Sequence, residues 1–316
     1  MQKSQLLIVL VVGLILGAGT FVLIGGNPDA PPPEQSGDPA PPPEPTEEGG
    51  PQRVIVLSPA LAEMVYAMGE GDRVVGVSDF CEYPPEIKSV TTCGGLITPS
   101  YEVMESLDPD LVIVQGLADS IVEYCDSAGI PVLDVPLDSL DDIYAAIEIL
   151  GEELGATESA DGLIESMRSD MDDVREAVAG EGRPPVFLAT GRSPGRLKDM
   201  MTAGGGSFLS DLVGVAGGEN VFADSEQLWP QPAVEAIVAA EPEVIIDIQP
   251  NLDVGEVELD AVAEQWSELR TVPAVREGRV HVTTEDALLI PGPRVTGTAR
   301  VFARLIHPEV SFDDSP

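Results

Sequence analysis

The sequence predicts an α/β protein built from two Rossmann-like α/β lobes joined by one long helix, with a ligand cleft between them. Three observations carry this. From Arg53 onward apolar runs alternate with helical patterns: VIVL, a helix to Gly69, RVVGV, a helix, DLVIV, a helix and IPVLDV. Such alternation is the signature of βα units on a mostly parallel sheet. Second, the pattern is written twice. Pro99-x-x-Glu102-x6-Pro109 precedes DLVIV, and Pro232-x-x-Glu235-x6-Pro242 precedes EVIID, at a constant offset of 133 residues. Third, Ala160, Leu163, Ile164, Met167, Met171, Val174 and Ala177 recur at three- and four-residue steps between the copies. That spacing places one apolar stripe on a single amphipathic helix.

In chain order, residues 1–25 form an N-terminal membrane anchor or signal segment. Leu6–Ile24 is a run of 19 uncharged, mostly apolar residues. At about 1.5 Å per residue it can cross a hydrocarbon core of roughly 30 Å. It is longer than the apolar core of a signal peptide and no A-x-A cleavage site follows, which favours an uncleaved anchor. Residues 26–52 are an acidic linker with ten prolines between positions 28 and 51. Such composition packs no core and behaves as a semi-extended spacer. The N-terminal lobe is assigned to 53–157, the inter-lobe helix to 158–181 and the C-terminal lobe to 182–311. In each copy the first proline is placed at the start of a helix, where its missing N–H costs nothing, and the glutamate one turn in.

The chain carries 16 Lys+Arg against 55 Asp+Glu, a formal charge of −39. A surface this acidic repels phosphate backbones and anionic lipid, which excludes a general nucleic-acid binder. Arg outnumbers Lys 13 to 3, consistent with a protein kept soluble in concentrated salt or with a GC-rich genome. Two histidines exclude a His-rich metal site, and three cysteines are too few for a disulfide framework. The run Gly204–Gly206 lacks a Walker lysine and GxGxxG spacing, so a tight helix-entry turn is expected there.

The segments RVIVLSPALAEMVYAMG, RVVGVSDFCEYPPE, YEVMESLDPDLVIV, GGENVFADSEQLWPQPAVEAIVAAEPEVII and GRVHV together resemble ABC-transporter substrate-binding proteins of the vitamin B12, ferric siderophore and haem class. DFCEYPPE and ENVFADSEQLWPQ are most similar to the vitamin B12-binding members. The resemblance implies an extracytoplasmic protein that delivers a corrinoid to an ABC permease dimer with its ATPase, and the apolar run Leu6–Ile24 would tether it to the membrane. A ferric siderophore or haem is the alternative cargo, and no resident cofactor or metal is implied. It further implies that Glu102 and Glu235, one on each lobe, dock against the permease.

Tyr83 and Trp229 lie in opposed loops after strands, where flat aromatic faces grip large ligands with little entropy loss. Phe80 belongs to the same N-terminal loop. Arg192, Arg196 and Lys198 fall within seven residues after the first strand of the second lobe. Such a cationic patch suits an anionic part of a ligand, with Arg294 in IPGPR a further candidate. Cys93 and Gln115 stand where the vitamin B12 binders carry aromatics, a departure that bears on the ligand. Cys81 and Cys93 fall in neighbouring loops where an oxidising compartment permits a disulfide, but sequence does not carry the geometry one needs. A chelatase-like enzyme or a signalling surface receptor are the distant alternatives. His281, inside a strand, and His307, near the C-terminus, are not placed for chelatase chemistry in a cleft.

Overall fold

Val54–Val56 (β1) is buried along its whole length, and its neighbours show why the run has no polar alternation. It pairs in parallel with Val74–Val77 (β2) on one side and Leu111–Val114 (β4) on the other. Thr91–Thr92 (β3) and Val132–Asp134 (β5) complete an all-parallel sheet in the order β3-β2-β1-β4-β5. In the second half, Pro185–Ala189 (β6), Glu219–Asn220 (β7), Val244–Ile248 (β8) and Val280–Thr283 (β9) form a second all-parallel sheet, ordered β7-β6-β8-β9. Parallel sheets are covered on both faces, so their central strands read as continuous apolar runs. The computed structural model describes residues 50–95, 97–116, 118–193, 195–250 and 259–312. The apolar stretch Leu6–Ile24 and the Pro-rich segment up to residue 49, with the expectations placed on them, lie outside the described residues.

The helices follow from local chemistry. Ser58 caps Pro59–Ala67 (α1), accepting from the Leu61 N–H, with Pro59 at the first turn. Tyr101–Ser106 (α2) and Asp119–Ala128 (α3) cover the outer face of the first sheet with Met104, Ile121 and Cys125. Leu140–Glu153 (α4) opens on a capping box formed by Ser139 and Asp142. Thr157–Ala177 (α5) is the inter-lobe helix, 21 residues long, with Ala160, Met167, Met171 and Val174 buried as their spacing requires. It stops at Val178, short of the expected 181, because the chain turns there and Glu181 N–H bonds back to the Val178 carbonyl. Phe208–Val215 (α6) and Val295–Ile306 (α10) line the inner face of the second sheet. Val234–Ala239 (α7) and Pro273–Arg276 (α9) flank its other side, and Leu259–Glu264 (α8) packs beside β9.

The internal duplication is structural. α2 and α7 correspond residue for residue at the offset of 133, and β1 and β4 fall within β6 and β8 when shifted by it. Both helices end through a non-glycine residue of positive φ, Asp108 and Glu241, each at 47° and each followed by proline. Pro99 and Pro232, however, stand two residues ahead of their helices. Ser100 and Ala233 occupy the cap positions, and Pro99 is held in an antiparallel bridge with Gly94. Glu102 and Glu235 therefore fall at the second helical position.

The lobes do not have separate interiors. One apolar cluster takes Val54, Val56 and Ile113 from the first sheet, Val186, Leu188 and Ile246 from the second, and Met167 and Met171 of α5 between them. Alternate residues face outward into two smaller clusters, Ile55 and Val112 in one lobe, Phe187 and Ile245 in the other. Polar contacts reinforce the join. The Phe208 N–H donates to the Asp138 carbonyl at 2.6 Å, and the Leu140 N–H to Asp211 Oδ2 at 2.9 Å.

Candidate functional site

The carboxyl ends of both sheets supply the residues that follow β1, β2 and β4 in one lobe and β6 and β8 in the other, where ligands of open α/β sheets bind. On the N-terminal side the Ser58 hydroxyl donates to Gln115 Oε1 at 2.7 Å, so Gln115 is fixed at the mouth of β4. Phe80 lies over Gly95, so close that a β-carbon there would press into its ring.

Between the lobes stands a charged contact that spans 231 residues of sequence. Arg294, at the start of α10, donates from Nε to Glu63 Oε2 at 2.8 Å and from Nη2 to Oε1 at 2.6 Å. Glu63 is only 4% exposed, on α1. Its burial pushes the carboxyl above the ordinary carboxylate range, while the Arg294 hydrogen bond and charge pull it back. Arg294 is in turn held more firmly protonated by its hydrogen bonds to Glu63. We take the pair as ionised, because the bidentate geometry satisfies both carboxylate oxygens. The guanidinium also lies over the Tyr83 ring, 4.3 Å from its centre, and Tyr83 itself is 46% exposed. Glu63, Tyr83 and Arg294 line an open cavity of about 570 Å³ with Tyr66, Leu288 and Arg300.

The structure thus brings Tyr83 and Arg294 together, on opposite lobes. Trp229, Phe80, Arg192 and Arg196 are not among the residues lining that cavity. Trp229 is half-buried, packed edge-on against Phe208 at 6.2 Å. Arg196 is exposed; its backbone N–H donates to the Ser193 carbonyl and its own carbonyl accepts from Arg192 Nη1. Arg192, expected as a free cation for an anionic ligand, is engaged by the protein: its Nε donates to Asp247 Oδ2 at 3.0 Å and its Nη1 to Gln265 Oε1 at 2.7 Å. Its side chain is 1% exposed. Trp266 Nε1 and Gln249 Nε2 complete the donors around Asp247, at 2.9 and 2.5 Å. Charge compensation inside the lobe explains this, since a buried Asp247 needs a cation.

A disulfide between Cys81 and Cys93 is not formed. Both thiols are free and buried, Cys81 in the central cluster and Cys93 in the outer cluster of the first lobe, on opposite faces of the sheet. Burial pushes them up to about 12 and about 11 respectively, so neither is a reactive thiolate. The glycine run behaves as a helix-entry turn. The Gly204 N–H donates to the Leu228 carbonyl, and β-carbons at Gly204 and Gly205 would collide with the carbonyls of Gln227 and Ala223. Glu102 and Glu235 are both exposed, and no described residue forms an ion pair with either.

Sequence reasoning missed Glu63, Asp247 and Trp266. The signal for the first two was present: each is the single acid in an otherwise apolar element, PALAEMVYA and VIIDI. An acid on a buried face requires a partner, and arginine far along the chain is the natural one.

Two parallel-sheet lobes fixed to one amphipathic helix, with a charged contact and an exposed aromatic between them, define a two-lobe solute-binding protein. The chain belongs to the periplasmic binding protein family, whose model matches residues 54–287. It is 32% identical, over 82% of its length and 81% of the relative's, to an uncharacterized ABC transporter substrate-binding lipoprotein of Bacillus subtilis. It is also 32% identical to the vitamin B12-binding protein of Salmonella paratyphi A, over 71% of this chain and 80% of that one. The periplasmic haem-binding protein of Roseiflexus sp. RS-1 superimposes with a TM-score of 0.69 at 24% identity, covering 82% of this chain and 99% of the other. The protein is a substrate-binding component of an ABC importer.

Proposed function

We propose that this binding protein carries a corrinoid, held outside the cytoplasm on an N-terminal membrane tether and delivered to a permease dimer with its ATPase. The observation that supports the ligand class is the 32% identity to a vitamin B12-binding protein across most of both chains. Tyr83 offers an exposed ring on one lobe, and Arg294 a partly exposed guanidinium suited to a polar substituent of the ligand. Glu102 and Glu235, exposed at matching helix starts on the two lobes, are the contacts offered to the permease. Titration of the full chain in detergent with cyanocobalamin, haemin and a ferric hydroxamate, followed by tryptophan fluorescence, tests the ligand. Saturable quenching by cobalamin at the lowest concentration is expected. Binding of haemin or the ferric chelate in its place overturns the corrinoid reading.

Haem or a ferric siderophore is the second reading, and two residues favour it. Cys93 is buried in the outer cluster, and Gln115 is tied to Ser58. Neither offers the aromatic face that the resemblance to vitamin B12 binders leads one to expect at these positions.

A further inference from the structure

We propose that His307, Glu181 and Glu309 form a binding site for a divalent transition metal at the base of the C-terminal lobe, away from the ligand cleft. One potential ligand atom from each of the three lies within 4.8 Å of the other two. They come from two places in the chain. Glu181 follows the end of α5, whereas His307 and Glu309 lie at and just beyond the end of α10. The recess they border also contains Pro185 at the start of β6 and Glu243 just before β8. Those are the amino ends of the strands, whereas the cleft is built at their carboxyl ends.

His307 is the residue that separates this cluster from an ordinary acidic patch. It is 4% exposed, and its Nε2 lies 3.3 Å from the Gly217 carbonyl. A carbonyl oxygen only accepts, so this contact takes the Nε2 proton and leaves Nδ1 as the nitrogen for a metal. Nδ1 is 3.9 Å from Glu309 Oε1, too far for a hydrogen bond. An imidazole nitrogen and two carboxylates gathered around one point form a donor set that suits a cation. An imidazole whose other nitrogen is tied to a backbone carbonyl is also the arrangement that orients metal-bound histidines. Two helix carboxyl termini converge here, and both favour positive charge. Arg183 and Arg279 border the same recess and oppose a cation. Their guanidiniums donate to the Gly218 and Ile306 carbonyls, at 2.9 and 2.6 Å. One nitrogen and two carboxylate oxygens suit Zn²⁺ or Co²⁺ rather than Ca²⁺, with water completing the shell. Ligand atoms around such an ion stand about 3.4 Å apart, so the cluster must contract by about 1 Å. The exposed Glu309 and Glu181 side chains can make that movement. A bound ion would tie the exit of the inter-lobe helix to the end of the last helix.

The test uses the full chain in detergent, stripped with chelator and titrated with ZnCl₂ by calorimetry and with CoCl₂ by visible absorption. One equivalent of Zn²⁺ is expected to bind, with a Co²⁺ spectrum of low coordination number and no displacement by equimolar Ca²⁺. His307→Gln should weaken Zn²⁺ binding by more than the roughly 10- to 100-fold that loss of an outer partner costs. Glu181→Gln and Glu309→Gln, at exposed positions that do not disturb folding, should weaken it likewise, and His281→Gln should leave it unchanged. Absence of a stoichiometric Zn²⁺ site, or Zn²⁺ affinity unaltered in both glutamate variants, overturns the proposal. Neither result bears on which ligand fills the cleft.

Discussion

At the scale of single residues, Glu63 shows how one charge fixes the relation of two lobes. It is buried on a helix of the first lobe and its two oxygens are taken by an arginine of the second. Removing one member of such a pair strands the other, which costs more than the pair contributes. The side chain of Arg294 is 33% exposed and can rehydrate, whereas Glu63 cannot. Arg294→Ala is therefore expected to be the more damaging change, by about 2–4 kcal/mol in denaturant unfolding. Glu63→Gln, which retains shape and one acceptor oxygen, should cost only about 1–2 kcal/mol. Equal losses in the two variants would show that the contact does not hold the lobes. The sequence marked Arg294 and Tyr83 but not their shared partner, because a partner 231 residues away leaves no local pattern. For a related reason the closeness of Arg192 to Arg196 and Lys198 is legible in the sequence, and Asp247 beneath it is not.

At the scale of elements, the inter-lobe helix depends on one close approach. A β-carbon added at Gly151 on α4 would overlap the side chain of Ala160 on α5. Both positions are buried where the end of α4 meets the start of α5, next to the central cluster. Small residues at a helix crossing let the axes approach, and a larger one must push them apart. Gly151→Val is expected to destabilise the fold by about 1–3 kcal/mol, the range for overpacking a filled core. A matching Ala160→Gly change should restore part of that loss. Thermal unfolding of the two single variants and the double variant measures it, and strict additivity would show that the two sites do not touch. The stripe of α5 was readable in the sequence because its period is local. The offset of 133 likewise located α2 and α7 to the residue. The prolines did not mark the helix starts, since an isolated bridge between Gly94 and Pro99 intervenes, and such pairing is tertiary information.

At the scale of the whole molecule, the shared interior sets how the protein can work. The central cluster runs through both sheets and α5, so large separation of the lobes would expose it. A body held this way presents its two outer glutamates at a nearly fixed spacing, which is what recognition by a symmetric pair of permease subunits requires. Glu102 and Glu235 lie at equivalent positions of duplicated helices, in a chain that is strongly acidic as a whole. Against a background charge of −39 a single carboxylate adds little long-range attraction, so its contribution must come from contact geometry. Reversal of both, as Glu102→Arg with Glu235→Arg, changes the net charge by only four units and touches no described ion pair. Folding and ligand affinity should therefore be retained while ligand uptake through the cognate importer is lost. Each single reversal should leave partial uptake, because the other lobe still docks. Transport assays in a strain lacking the native binding protein, paired with ligand titration of the purified variants, separate the two effects. Undiminished uptake by the double variant would remove both glutamates from the docking surface, and a parallel loss of ligand affinity would show that they act on the cleft instead.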